Sequence, residues 1–204
     1  MYNSEEKKRY LKGILSQKRY NHSINVAEEC SRLALKYGED PDKAYFAGLL
    51  HDICKEMDPE EQKALVLESG FSVCREELET HSLWHGIAGA YFIKIRFGIE
   101  DIDIVNAIRF HTVGRAGMTR LEEIVYLGDL ISADRTYKDV EKMRKLAYSS
   151  LNEAMREAFA FSVKSVVKKN GLLPLCTAEG YNFYTRIHKE EKNISNADSR
   201  RELK

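Results

Sequence analysis

"EDPDKAYFAGLLHDICKEM", residues 39–57, decides the fold. Asp40 stands as a helix cap and Pro41 takes the first helical position, where a missing N–H costs nothing. The middle, "AYFAGLL", is nearly all apolar, so the predicted helix belongs deep in a core. It then runs straight into His51 and Asp52. Neighbouring side chains on a helix point about 100° apart, so this pair cannot face one bulky apolar neighbour. The two can straddle a small object at the helix end, and a metal ion is such an object. A capping or surface pair is the plainer alternative. What favours the ion is burial, because an unpartnered carboxylate in an apolar region is costly. A buried Asp52 demands a counter-charge.

Working outward, the same helical grammar repeats. "SEEKKRYLKGILSQ" offers Ser4 as a cap and acidic residues in its first turn, and predicts a helix ending near Lys18. "HSINVAEECSRLALKYG" spaces Ile24, Ala27, Cys30, Leu33, Ala34 and Tyr37 three or four apart, predicting a helix from about His22 that closes on Gly38. "DPEEQKALVLESG" repeats the Asp-Pro start and stops at Gly70. "SLWHGIAGAYFIKIRFG" and "EDIDIVNAIRFHTVG" each end at glycine after an apolar run, and "TRLEEIVYLGDLISAD" has Thr119 as cap with Glu122 three positions on. Residues 140–167 predict one long helix, or two broken near Ser149. The expected architecture is all-α, one helical-bundle domain over residues 1–175. Past Pro174 the apolar periodicity fades, so 176–204 is expected to be a weakly structured tail.

Composition agrees. The chain has 204 residues, with only three prolines and 12 glycines, a bias that favours helix. Its 32 basic residues balance its 32 acidic ones, so no global field would hold a nucleic-acid backbone or an anionic membrane. Neither is expected as a partner. Four cysteines without a CxxC suit a reducing compartment. No signal-type segment and no run of about 18 apolar residues is present, and the expected location is the cytoplasm. Exposed apolar positions on the long C-terminal helix permit a homodimer without establishing one.

Further donors stand at wide spacings: His22, His85 in "WHG", His111 in "RFHTVG" and Asp129 in "YLGDL". Imidazole with carboxylate suits iron, manganese, zinc or nickel rather than calcium or magnesium. More than four donors suggest two ions. His81 reads as polar, Cys54 as a packing thiol, and Trp84, Tyr91, Phe92 and Phe97 as core. Tyr126 and Tyr137 are the better base-stacking candidates.

In this order, His22, His51-Asp52, His85, His111 and Asp129, the chain resembles the HD-domain metal-dependent phosphohydrolases, whose scaffold is an all-helical bundle. Within that superfamily, "RYNHSINVAEECSRLALKYGEDPDKAYFAGLLHDICKEM", "HGIAGAYFIKIRFGI", "NAIRFHTVGRAGM" and "LEEIVYLGDLISADR" are close to the YqeK-type symmetrical diadenosine tetraphosphate hydrolases. The likeness spans roughly residues 10 to 150. It implies that His22, His51 and Asp129 bind one metal ion and His85 and His111 a second. Asp52 would bridge the two. It implies two transition-metal ions, iron in the group, with manganese as the alternative. Lys55 matches the group's "HDxxK" and would face a phosphate as a substrate-binding and catalytic cation beside Asp52. Thr112, Gly114 and Arg115 match the loop beside the substrate, and Arg115 is also a catalytic candidate. The group's usual "HTTG" has Val113 here, and its "ADxIEPxR" appears as "GDLISADR", which keeps Asp129 and Arg135 but introduces Asp134.

The implied reaction is symmetrical hydrolysis of diadenosine tetraphosphate to two ADP by metal-activated water. Because the protein carries no net charge, the anionic dinucleoside polyphosphate would be held by local cations, Lys55, Arg115 and Arg135. Two other readings stand beside it: an HD phosphohydrolase acting on another nucleotide, and a regulatory HD protein that binds a nucleotide without cleaving it.

Overall fold

In the computed structural model, residues 2–202 are described, with side chains as far as residue 194. Among them there are helices and turns and no strand. The order is α1 (Ser4–Ile14), α2 (Gln17–Tyr37), α3 (Pro41–Leu50), α4 (Pro59–Glu68), α5 (Arg75–Leu78), a 3-10 turn (His81–Leu83), α6 (Trp84–Phe97), α7 (Ile102–Phe110), α8 (Arg120–Ile131), α9 (Val140–Ser149), α10 (Leu151–Lys168) and α11 (Leu175–Glu202).

The predicted helix breaks follow from caps. Asp40, Asp58, Asp101 and Thr119 each accept a backbone N–H of the first turn with a side-chain oxygen. Gly38 and Gly98 end α2 and α6 in the left-handed conformation. Residues 140–167 are two helices, because Ser150 is extended and caps α10 through its hydroxyl. Three boundaries of α1 and α2 differ from expectation. Asn3 rather than Ser4 caps α1, α1 ends at Ile14 rather than near Lys18 because Leu15 is extended, and α2 begins at Gln17, five residues before His22, because Ser16 accepts the Arg19 N–H. The four-residue α5 is too short to carry a periodicity and was not predicted.

The core is continuous. Leu33 of α2, Leu49 and Leu50 of α3, Ile87 of α6, Ile108 of α7, Leu121 of α8 and Phe159 of α10 are all essentially inaccessible, each contributing about 1.5–3 kcal/mol by burial. The long α2 lies against both α3 and α8, α7 bridges α6 and α8, and α9 and α10 cover the far side. At the meeting of α2, α3 and α8 the backbones approach closely around one sulfur. A Cβ on Gly48 would stand 2.8 Å from Cys30 Sγ, and one on Gly128 2.5 Å from it.

The expected weakly structured tail is instead a helix up to residue 202, and residues 203–204 lie outside the described part. α11 packs along α10. Tyr184 is buried, stacks on Phe159 with ring centroids 5.4 Å apart, and donates to Glu123 Oε1 at 2.7 Å. Thr177 donates its hydroxyl to the Val113 carbonyl at 2.7 Å. These contacts tie the first half of α11 to the loop after α7 and to α8. No helix of the described residues is long and apolar enough to cross a membrane.

Candidate metal centre

The six predicted ligands come together from five helices. His22 lies on α2, His51 caps the C-terminus of α3, His85 is in the first turn of α6, His111 caps the C-terminus of α7, and Asp129 is near the end of α8. Helix C-termini carry partial negative charge, and three of them point here, which suits a cation. After Leu50 the chain tightens: Ile53 N–H donates to Leu50 O and Lys55 N–H to Asp52 O. In that tighter winding residues three apart eclipse, so Asp52 and Lys55 project to the same side.

Asp52 is at the middle of the cluster, only 3% exposed. Its two oxygens serve different neighbours. Oδ2 faces His51 Nε2 at 3.4 Å and His22 Nε2 at 3.9 Å, whereas Oδ1 faces His85 Nε2 at 3.2 Å and His111 Nε2 at 3.6 Å. Asp129 Oδ1 lies on the first side, 2.9 Å from His22 Nε2 and 3.8 Å from His51 Nε2.

The hydrogen bonds behind these rings settle their tautomers. A carbonyl can only accept, so His51 Nδ1–H donates to Gly48 O and His111 Nδ1–H to Ile108 O, each at 2.7 Å. His22 Nδ1 lies 2.8 Å from Asp134 Oδ2 and donates to it. In all three rings Nδ1 is engaged away from the cluster and Nε2 is aimed inward, the orientation metal-bound imidazoles adopt. The Nε2 atoms of His22 and His51 are buried and have no hydrogen-bond partner, a state that is costly unless something else binds them. The ligand atoms of His22, His51 and Asp129 lie within 4.8 Å of one another, as do those of His51, Asp52 and His111. This donor set fits two transition-metal ions sharing Asp52, and leaves the identity of the metal open.

The electrostatics differ between ligands: although burial opposes it, Asp52 and Asp129 raise His51. Burial pushes His85 down to about 4, with His111 and Lys55 adding to the effect against Asp52, so its imidazole is neutral and able to ligate. Although burial opposes it, the His51, His111 and His85 contacts hold the Asp52 carboxyl well below the usual range. Asp129 is likewise held low against its burial, by His22, His51 and Arg135. Burial lowers Lys55.

Three cations border the cluster. Arg19 Nη1 donates to Asp52 Oδ2 at 2.6 Å, Arg135 Nη2 donates to Asp129 Oδ1, and Lys55 Nζ lies 3.2 Å from His85 Nε2. Arg19 and Asp134 were not singled out as site residues. The signal for Arg19 was its place three residues before His22, on the same helix face. The signal for Asp134 was its departure from the expected pattern.

Other predicted residues stand elsewhere. Arg115 donates twice to the buried Glu122, at 2.6 and 2.7 Å, and its guanidinium lies over Phe110. Those partners, rather than any of the six ligands, hold it. Gly114 has φ 62°, and a Cβ there would come within 2.4 Å of Phe159, so its smallness serves packing. Thr112 follows His111 and is half-buried. Tyr126 is not free to meet a base: it is buried, stacked on Phe159 and bonded to Ser162 Oγ at 2.9 Å.

Known proteins show the same organisation. A family model described as HD domain matches residues 19–134. The chain is 36% identical over 174 residues to a protein of Bacillus subtilis named bis(5'-nucleosyl)-tetraphosphatase, symmetrical, covering 82% of this chain and 90% of that one. It is 34% identical over 185 residues to the protein of that name from Staphylococcus aureus, covering 89% and 94%. Among solved structures, a Clostridium acetobutylicum protein described as a predicted HD superfamily hydrolase involved in NAD metabolism superposes with a TM-score of 0.86 at 38% identity, covering 91% of this chain and 98% of that one.

Proposed function

The chain belongs to the HD domain family, and from that premise we propose that it is a symmetrical bis(5'-nucleosyl)-tetraphosphatase, a hydrolase that converts diadenosine tetraphosphate to two ADP. The observation that carries the reading is the division of Asp52, one oxygen toward His22 and His51 and the other toward His85 and His111. His22, His51 and Asp129 would hold one metal ion and His85 and His111 the other. Iron is the proposed metal, with manganese as the alternative.

When bound, such a pair supplies acidified water as nucleophile and offsets charge developing at a breaking phosphoanhydride. The chain's own residues do the rest. Backbone carbonyls and Asp134 engage the Nδ1 side of His51, His111 and His22, which aims each Nε2 at the centre. Lys55 exchanges its contact with His85 for a phosphate oxygen. Arg135, fixed by Asp129 Oδ1 and by the Asp129 carbonyl at 2.8 Å, presents its outer guanidinium edge to the tetraphosphate, as arginine does in phosphate recognition. Arg19, which lies against Asp52 Oδ2, joins them in this role, and Arg115, held by Glu122, borders the loop after His111. Within this reading the enzyme works in the cytoplasm, and its four free thiols suit a reducing compartment.

The test is product identity. Purified metal-loaded protein given diadenosine tetraphosphate should release ADP alone, faster than it cleaves a panel of nucleoside mono- and triphosphates. Release of AMP or inorganic phosphate would exclude symmetrical cleavage.

A further inference from the structure

Between α9 and α10 lies a cleft of about 430 Å³ that the metal cluster does not use, within the size range of small-ligand sites. Met143 and Leu146 line it from α9. Tyr137 and Phe161 form an aromatic pair on it, with ring centroids 4.8 Å apart and planes 34° apart. Phe161 keeps 38% of its surface exposed, so one face of this pair is available to a further ring. Buried Tyr137 Oη has no hydrogen-bond partner, unlike the hydroxyl of Tyr126. Lys138, Lys142 and Lys164 also line it, together with Asp139 and Glu157.

The cleft is joined to the metal cluster by a short piece of chain. Asp134 holds His22, Arg135 holds Asp129, and Tyr137 follows two residues later, a distance of at most about 7 Å along the backbone. A ligand whose phosphates meet Arg135 can therefore carry a flat heterocycle onto Tyr137 and Phe161.

We propose that this cleft is a nucleoside subsite, in which the purine of one half of the dinucleoside polyphosphate extends the Tyr137–Phe161 stack. The proposal rests on the function argued above, and it assigns to the residues after Asp134 the recognition that the sequence resemblance placed on the Arg115 loop. Aromatic stacking is tolerant of base identity, so the subsite secures a nucleoside more than it distinguishes adenine from guanine.

Two measurements test it on the metal-loaded full chain. Photolysis with 8-azido-ADP followed by peptide mapping should place the label within residues 137–164, and Phe161→Ala should suppress it; a label confined to other segments overturns the proposal. In steady-state assays with diadenosine tetraphosphate, Phe161→Leu should raise KM about tenfold with kcat within about twofold, as loss of one base stack does, and Phe161→Trp should restore it. An unchanged KM in Phe161→Leu, in protein whose melting curve matches the wild type, also overturns it. If the wild type yields no ADP from this substrate, the proposed function fails, while the photolabel still reports whether the cleft takes a nucleoside.

Discussion

Asp52 is the residue on which two imidazole pairs depend, and its removal should act on both. In Asp52→Ala we expect metal content by elemental analysis to collapse and turnover to fall by well over about a hundredfold, since even outer partners of metal ligands act on the scale of 10–100-fold. Full activity in that variant would sink the dinuclear centre. Asp134 is such an outer partner. Asp134→Ala leaves His22 Nδ1–H without its acceptor and frees the ring to turn, so metal affinity should weaken about 10–100-fold in chelator competition. An unchanged affinity would show that Asp134 does not orient His22. At this scale the ligands were legible because each is a donor at or near a helix end, in an order that random sequence does not supply. The pairing of Arg115 with Glu122 was not legible for a physical reason. Glu122 sits seven residues later, in the first turn of α8, and a pairing across an intervening loop leaves no trace in spacing.

At the scale of elements, the loop after α7 is held by packing. Gly114 and Gly117 both have positive φ, 62° and 63°, but only at Gly114 would a Cβ meet an aromatic ring; Gly117 faces open space. Gly117→Ala should cost about 1–2 kcal/mol, the left-handed penalty alone, and Gly114→Ala about 1–3 kcal/mol more from overpacking against Phe159. Denaturant midpoints of the two variants measure the difference, and equal midpoints would refute it. Most helices were readable from Asp-Pro starts, a capping threonine and closing glycines. α11 was not. Its buried positions include Thr177 and Tyr184, seven residues apart, and between Ala178 and Tyr184 polar and exposed side chains predominate. What holds it is the packing of Phe183, Tyr184 and Ile187 against the core and hydrogen bonds to the His111 loop, α8 and α10, tertiary contacts that its sparse apolar spacing does not by itself specify.

For the molecule as a whole, the cluster joins five helices without an apolar filler between them. Buried Nε2 atoms and two carboxylates therefore make ion binding part of the stability of the fold. Free metal at about 100 times its Kd stabilises a protein by about 2.7 kcal/mol, which for a chain of this size corresponds to a shift of about 5–10 °C. Extraction with a chelator should lower Tm by that amount and reconstitution should restore it; coincident melting curves would mean that the folded state gains nothing from the metal. The all-helical class followed from composition and caps together, whereas the cleft between α9 and α10 depends on how two helices diverge, which neither reports.

The sulfur of Cys30 has a consequence for how this protein can change over generations. It is the one atom that Gly48 and Gly128 both make room for, so it fixes the separation of the helices carrying His22, His51 and Asp129. An alanine at Gly128 is barred while the sulfur is there, and Cys30→Ala removes that obstacle, whereas at Gly48 the Ala27 Cα at 3.1 Å and the Cys30 Cβ at 3.2 Å would remain. Cys30 and Gly128 are thus epistatic: Gly128→Ala should be tolerated only in a lineage that has already lost the thiol, and a double-mutant cycle would register that order of acceptance as a favourable coupling.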